Sequence, residues 1–207
     1  GWSYGYADVL EGRRDPASIT TAVIGPVYHS APNAHSAFSI RVGANVVICP
    51  RFDAEELLAL IEQERITHLN MVPIMFNRLL RLPDDVKCKY DLSSLEFVTH
   101  AAAPCPPPVK RAMIEWWGPV IWEYYGSTEM GNVTCLSSEE WLAHPGSVGR
   151  VMPGVTLRVV DPDGHDVPPG TVGEVIGKGR HGTDFTYQNS PEKRASREKY
   201  GLVTPGD

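Results

Sequence analysis

The sequence predicts an α/β fold, a mostly parallel sheet flanked by helices and followed by a small β-rich subdomain. Three observations lead there. From Thr20 to Tyr124, short apolar runs alternate with longer amphipathic segments, the pattern of strand–helix–strand units. Prolines number 18, above the ~5% typical of proteins, and stand at turns and helix starts between apolar segments. After Pro145 the texture changes to glycine, proline and valine, with the turn Asp161-Pro162-Asp163-Gly164 between two short apolar runs. A boundary near residue 145 follows, giving an α/β subdomain over 1–145 and a β-rich one over 146–207.

Gly1 to Ser18 reads as a loop with a weak helix, like something cut from a longer chain. Thr20 to Val27 is a strand closed by Pro26, and Ala34 to Val42 a helix of small residues. Asn45 to Ile48 is a strand. Asp53 stands three residues before Glu56, a capping-box spacing, and Ala54, Leu57, Leu58 and Ile61 form one apolar stripe. Ile66 to Val72 is a strand, and Pro73 opens a helix where its missing N–H costs little. His68, Met71 and Met75 fit either core filling or an acyl channel; His35 reads as structural. Pro83 to Ser94 is a polar loop, and Leu95 to Thr99 a strand. Pro106 to Pro108 start a helix whose face includes Val109, Ala112, Met113 and Trp116, ended by Gly118. Val120 to Tyr124 is a strand. Ser138 to Trp141 is a helical turn, Leu157–Val160 and Gly173–Ile176 a hairpin or meander, and 180–200 a polar, mobile surface loop.

Composition narrows the function. Hydrophobic residues make up 42% of the 207 positions, enough for a sizeable core, and the net charge of −6 gives no hint of a nucleic-acid surface. No apolar run approaches ~18 residues, so no transmembrane helix is expected, and the N-terminus lacks a signal pattern. Cys49, Cys88, Cys105 and Cys135 show no Cys-x-x-Cys spacing and read as reduced thiols in a cytoplasmic protein.

The chemistry concentrates in Ile121-Trp122-Glu123-Tyr124-Tyr125-Gly126-Ser127-Thr128-Glu129-Met130. An apolar strand leads into two tyrosines, a glycine, two hydroxyls and a carboxylate. Gly126 permits a sharp turn or close approach to a ligand. Thr128 offers a hydroxyl for a phosphate oxygen, and Glu129 a hard oxygen ligand suited to Mg²⁺. The plain alternative is an ordinary strand exit with a solvated Glu.

Tyr125-Gly126-Ser127-Thr128-Glu129 resembles the Tyr-Gly-x-Thr-Glu motif of the adenylate-forming superfamily of acyl-CoA synthetases, AMP-dependent ligases, peptide-synthetase adenylation domains and luciferases. Pro26 to Ala31 resembles that family's strand-end segment carrying a histidine beside the acyl pocket. His100 to Pro104 resembles its Gly-Ala-Ala-Pro adenine segment, with Ala101 where glycine is usual and His100 where serine is common. Pro145 to Gly154 resembles its Gly-x-x-Gly-x-x-x-Pro-Gly segment, and Thr204-Pro205-Gly206-Asp207 its Thr-Gly-Asp with Pro205 inserted. The resemblance implies ATP, Mg²⁺ and CoA as cofactor and substrates. It assigns Glu129 to Mg²⁺, Thr128 to the α-phosphate, and Tyr125 to adenine, with Ala102, Ala103 and Pro104 at the ring edge. Asp207 would hold the ribose, His29 and Gly126 would border the carboxylate, and Glu123, Tyr124 and Ser127 would complete the nucleotide segment. Thr128, Glu129 and His29 are the expected catalytic residues. For His29, a helix-cap role and a partly buried structural role stand beside the pocket-wall reading.

Amino-acid-activating members place an aspartate after the strand-end histidine; the window Tyr28 to Phe38 has none. A carboxylic acid without an α-amine, whether fatty, aromatic or steroid-like, is the expected substrate. There is no Ser/Thr/Gly-rich loop ending in Lys and no C-terminal domain carrying the adenylation lysine, so the chain reads as a central portion of a ligase, inactive alone. The competing readings are a nucleotide- and acyl-binding module without catalysis, an adenylation domain loading a carrier protein, and an unrelated α/β domain. Oligomeric state, a homodimer included, is left open.

Overall fold

The computed structural model describes residues 2–179 and 185–206. After a short helix α1 (Ala7–Leu10), strands and helices alternate: β1 (Thr20–Val23), α2 (Ser30–Val42), β2 (Asn45–Ile48), α3 (Ala54–Glu64), β3 (His68–Met71), α4 (Pro73–Leu80), α5 (Asp84–Lys87), β4 (Phe97–His100), α6 (Pro107–Trp117) and β5 (Ile121–Ser127). Then follow β6 (Gly131–Leu136), α7 (Ser138–Ala143), β7 (Arg150–Val151), β8 (Thr156–Val160), β9 (Glu174–Lys178), α8 (Pro191–Ser196), β10 (Glu198–Lys199) and β11 (Leu202–Val203).

Seven strands form one sheet in the order β2-β1-β3-β4-β5-β6-β7. β1 runs parallel to β2 and β3, β3 to β4, and β4 to β5, the pairing that helical crossovers permit. β6 and β7 are antiparallel. A four-stranded sheet, β10-β11-β9-β8, is antiparallel throughout. The predicted fold class is the one observed.

The chain divides into two compact units, Gly1–Glu123 with Leu136–Ser147, and Tyr124–Cys135 with Val148–Asp207. In the first, Leu58, Ile61, Ile66, Leu69, Phe76, Leu79, Met113 and Ile121 are fully buried between helices and sheet. Each such side chain contributes about 1.5–3 kcal/mol. Met71 and Met75 belong to this core, so they fill space there. His68 is equally buried: its Nε2 meets the Gly5 carbonyl at 2.7 Å, its Nδ1 meets Thr67 Oγ1 at 2.9 Å, and its ring lies against Tyr6 and Phe97. Tyr6, within the segment read as a weak helix, is fully buried, with its hydroxyl 2.7 Å from Ser39 Oγ. His35, expected to be structural, is buried beside the Tyr6 ring.

Local chemistry explains the element ends. Asp53 caps α3, accepting from the N–H groups of Glu55 and Glu56 at 3.0 Å each. Glu56 does not close the box; it accepts from Arg51 at 3.0 Å. The complete capping box is at α7, where Ser137 and Glu140 bond each other's backbone. α2 starts at Ser30, four residues ahead of the expected Ala34, because Pro32 falls in the first turn, where no helical N–H is required. Gly43 and Gly118 end α2 and α6 with φ of 90° and 85°.

Two expected loops carry structure. The stretch 83–94 contains α5, and the described part of 180–200 contains α8 and β10. Pro191 sits in the first turn of α8, where its fixed φ favours the helix over the expected loop.

Candidate nucleotide site

Aromatic and apolar residues drive Ile121 to Tyr125 into strand conformation, and β5 continues through Gly126 and Ser127. The motif therefore rides on the strand itself, and the turn comes at Thr128–Met130. Gly126 is required there for close backbone approach: a methyl at its Cα would overlap the Gly131 carbonyl oxygen and stand 2.9 Å from Asn132 Cα. Gly131 leaves the turn with φ of 71°, a left-handed conformation that favours glycine. The Ser127 hydroxyl accepts from the Met130 N–H at 3.1 Å, closing the turn.

This turn presents Thr128 to solvent and leaves Glu129 half-buried. Tyr187 donates its phenolic hydrogen to Glu129 Oε1 at 2.6 Å. Burial alone would raise the Glu129 pKa. Hydrogen bonds from Tyr187, from its own backbone N–H and from Ser127, with the charge of Arg197, outweigh that and hold the carboxyl below its usual range. Tyr187 is in turn fixed by the Phe185 ring, edge-on at 5.6 Å, and by Lys193 Nζ, 4.4 Å from its ring centre. The result is an ionised carboxylate at a strand exit, oriented by a neighbouring phenol. One such carboxylate suits Mg²⁺, which takes one or two protein carboxylates and completes its shell with phosphate oxygens and water. In this way the residues fit the ion.

The last described residues lie in the same unit. The Thr204 hydroxyl donates to Glu174 Oε1 at 2.8 Å and accepts from the Gly206 N–H at 3.0 Å, and Arg197 donates to the Pro205 carbonyl at 2.9 Å. The backbone entering position 207 is therefore tied down. Asp207, the expected ribose ligand, lies outside the described residues.

In the first unit, His29 is exposed at the N-cap position of α2, with its ring tilted against Tyr28. It makes no side-chain cap bond, so the helix-cap alternative has no support. Ala102, Ala103 and Pro104 are exposed, and Ala102 has φ of 71°. An alanine there costs roughly 1–2 kcal/mol, and such backbone outliers concentrate at ligand sites. Ala101, where the family resemblance expects glycine, is not the left-handed residue. Glu123 is 7% exposed; its Oε2 accepts from Lys110 Nζ at 2.6 Å and lies 3.5 Å from His100 Nε2.

Sequence reasoning missed two residues. Lys110 was missed because charge argued against burial, yet Lys110, Met113, Ile114 and Trp117 are the buried residues of α6, spaced i, i+3, i+4, i+7. Tyr187 was missed because it lies 58 positions from Glu129, and no local pattern links them. Asp161, Asp163 and His165 bring ligand atoms within 4.8 Å of one another. Asp161 Oδ1 there accepts from the N–H groups of Asp163 and His165, an ordinary turn arrangement.

A mostly parallel sheet whose fifth strand carries Tyr-Gly-Ser into a Thr-Glu turn, followed by a small antiparallel sheet, is the architecture of the N-terminal domain of adenylate-forming enzymes. The chain belongs to the AMP-binding enzyme family, whose sequence pattern matches residues 5–184. It is 32% identical over 202 residues to the indoleacetate–CoA ligase of Aromatoleum aromaticum, covering 97% of this chain and 38% of that protein. It is 31% identical over 190 residues to acetyl-coenzyme A synthetase of Bacillus subtilis, covering 91% of this chain and 32% of that protein. Among solved structures, the amide bond synthetase McbA of Marinactinospora thermotolerans superposes with a TM-score of 0.81 at 29% identity, over 94% of this chain and 39% of that one. ATP-bound MatB of Rhodopseudomonas palustris superposes with a TM-score of 0.80 at 28% identity, over 100% and 40%. The chain thus spans about a third to two-fifths of the length of these proteins.

Proposed function

We propose that this chain is part of an ATP-dependent acid–CoA ligase that activates a carboxylic acid lacking an α-amine. The observation that carries this reading is the Tyr125–Glu129 strand exit, which leaves Glu129 ionised and anchored by Tyr187. Relatives named as indoleacetate–CoA ligase and acetyl-coenzyme A synthetase support it. So does the absence of an aspartate between Tyr28 and Phe38.

In the first half-reaction the substrate carboxylate oxygen attacks the α-phosphorus of ATP, and the bond to the β-phosphate oxygen breaks, releasing pyrophosphate. In the second, the CoA thiolate attacks the acyl carbonyl of the adenylate, and AMP leaves with the bonding electrons. The protein contributes positioning and charge complementarity. Thr128, exposed at the turn, donates to an α-phosphate oxygen; Tyr125 stacks on adenine; Ala102, Ala103 and Pro104 border the ring; Asp207 accepts from the ribose hydroxyls. His29 and Gly126 border the acid. Glu123, Tyr124 and Ser127 hold the segment in shape. Glu129 would hold Mg²⁺, whose charge offsets that of the phosphates when bound.

Isolated, these 207 residues contain no Ser/Thr/Gly-rich loop ending in Lys to cradle the leaving phosphates, so they do not sustain turnover alone. A cytoplasmic setting belongs to this reading: no disulfide joins the four cysteines, and among the described residues no helix is long and apolar enough to cross a membrane. The test is an acid-dependent pyrophosphate-release screen on the full-length protein, with fatty, aromatic and steroid-like acids beside α-amino acids and with CoA as acceptor. Release with one of the first three classes and thioester formation support the reading; release with α-amino acids alone contradicts it.

A further inference from the structure

Among the described residues, the most deeply buried charge is in α6. Lys110 is 0% exposed, and Glu123 in β5 is 7% exposed. Lys110 Nζ donates to Glu123 Oε2 at 2.6 Å, and the same ammonium lies 5.0 Å from the centre of the Trp141 ring. His100, fully buried at the end of β4, pairs in register with Glu123 and has its Nε2 3.5 Å from Oε2. Burial first, then the Lys110 charge, push the His100 pKa down to about 3, so the histidine stays neutral and Lys110 is the cation that compensates Glu123.

Stability does not account for this pair. Desolvating two charges costs about as much as their attraction returns, and apolar residues of similar volume often do as well or better. What the pair does supply is a fixed location for Glu123, which stands two positions before Tyr125 on the same strand. A charge-assisted bond of 2.6 Å inside a packed core admits little sliding of β5 along its axis.

We propose that Lys110 is a positioning residue for nucleotide binding: through Glu123 it sets the register of β5 and thereby the placement of Tyr125 and Thr128. This rests on the proposed role of the Tyr125–Glu129 segment. It uses a lysine that is separate from any phosphate-contacting group.

The experiment compares Lys110→Met, Lys110→Arg and the double replacement Lys110→Met with Glu123→Leu in the full-length protein. The readouts are the urea midpoint and the KM for ATP and kcat of acid-dependent pyrophosphate exchange. Glu129→Gln is run alongside. Lys110→Met strands a buried carboxylate, so its midpoint falls. The double variant returns the midpoint to that of the parent, yet its KM for ATP rises about tenfold while kcat changes less than about threefold. Lys110→Arg keeps the charge and folds, with KM raised by a smaller factor. A double variant with both parental midpoint and parental KM overturns the proposal, because the pair is then structural only. Should the double variant not fold, a parental KM in Lys110→Arg overturns it equally. If Glu129→Gln exchanges pyrophosphate like the parent, the nucleotide reading itself fails and the proposal falls with it. If only the Lys110 variants are silent, that reading stands and Lys110 has no part in it.

Discussion

The phenol of Tyr187 donates to the Glu129 carboxylate at 2.6 Å across 58 positions of sequence. That single bond ties the turn after β5 to the segment leading into α8, and it supplies one of the hydrogen bonds that keep Glu129 ionised. Tyr187→Phe removes the donor and keeps the ring against Phe185 and Lys193. A hydrogen bond to a charged group contributes about 1.5–3 kcal/mol. The expected outcome is a roughly tenfold or greater rise in the Mg²⁺ concentration needed for half-maximal pyrophosphate exchange, with the urea midpoint little changed. A magnesium titration of both proteins checks it.

Gly126 lies against Gly131 and Asn132 with no room for a methyl. Gly126→Ala forces the two backbones apart, and overpacking of this kind costs about 1–3 kcal/mol. Denaturant unfolding of the variant should show a loss in that range, with adenylate formation reduced because Ser127 and Thr128 move with the strand.

Removing the α3 cap tests a simpler element. Asp53→Ala frees two N–H groups that the carboxylate now satisfies, at a cost of about 1 kcal/mol. The effect should appear in the urea midpoint and leave the KM for ATP unchanged, since α3 belongs to the core packing and not to the site.

Acid stability follows from two buried histidines. His35 and His100 are both pushed to about 3, by burial first, then by the neighbouring charge of His68 and Lys110 respectively. Between that value and the ordinary 6.5, the unfolded chain binds protons that the folded chain refuses, so stability rises with pH and is lost on acidification through this window. From pH 7 to pH 5 each histidine accounts for about 2 kcal/mol. His35→Leu should flatten the dependence of the urea midpoint on pH by one histidine's share. An unaltered slope would show that His35 is protonated in the folded state.

The sequence revealed the layering because strands and helices alternate with clear apolar periods, and it revealed the Tyr125–Glu129 segment because its residue types are local and contiguous. Three things were hidden. Lys110 broke the apolar pattern of α6: the face read as Val109, Ala112, Met113 and Trp116 has Met113 buried and Val109 and Trp116 packed at the core's edge, but it left out Lys110, Ile114 and Trp117. The partner of that lysine lies on another element, and pairing across elements leaves no trace in periodicity. Strand β5, expected over Val120 to Tyr124, runs on to Ser127. Tyr187 stands in a polar stretch that looked like a solvated loop, and only the folded chain brings it to Glu129.

The most direct measurement is acid-dependent pyrophosphate exchange by the full-length protein with Glu129→Gln, which keeps the shape and removes the charge. Loss of one preorganised charged group of this kind costs about 10²–10³-fold. The account predicts a fall in exchange of that order with the fold intact by circular dichroism. Exchange within about twofold of the parent would contradict the assignment of the Tyr125–Glu129 segment to the nucleotide.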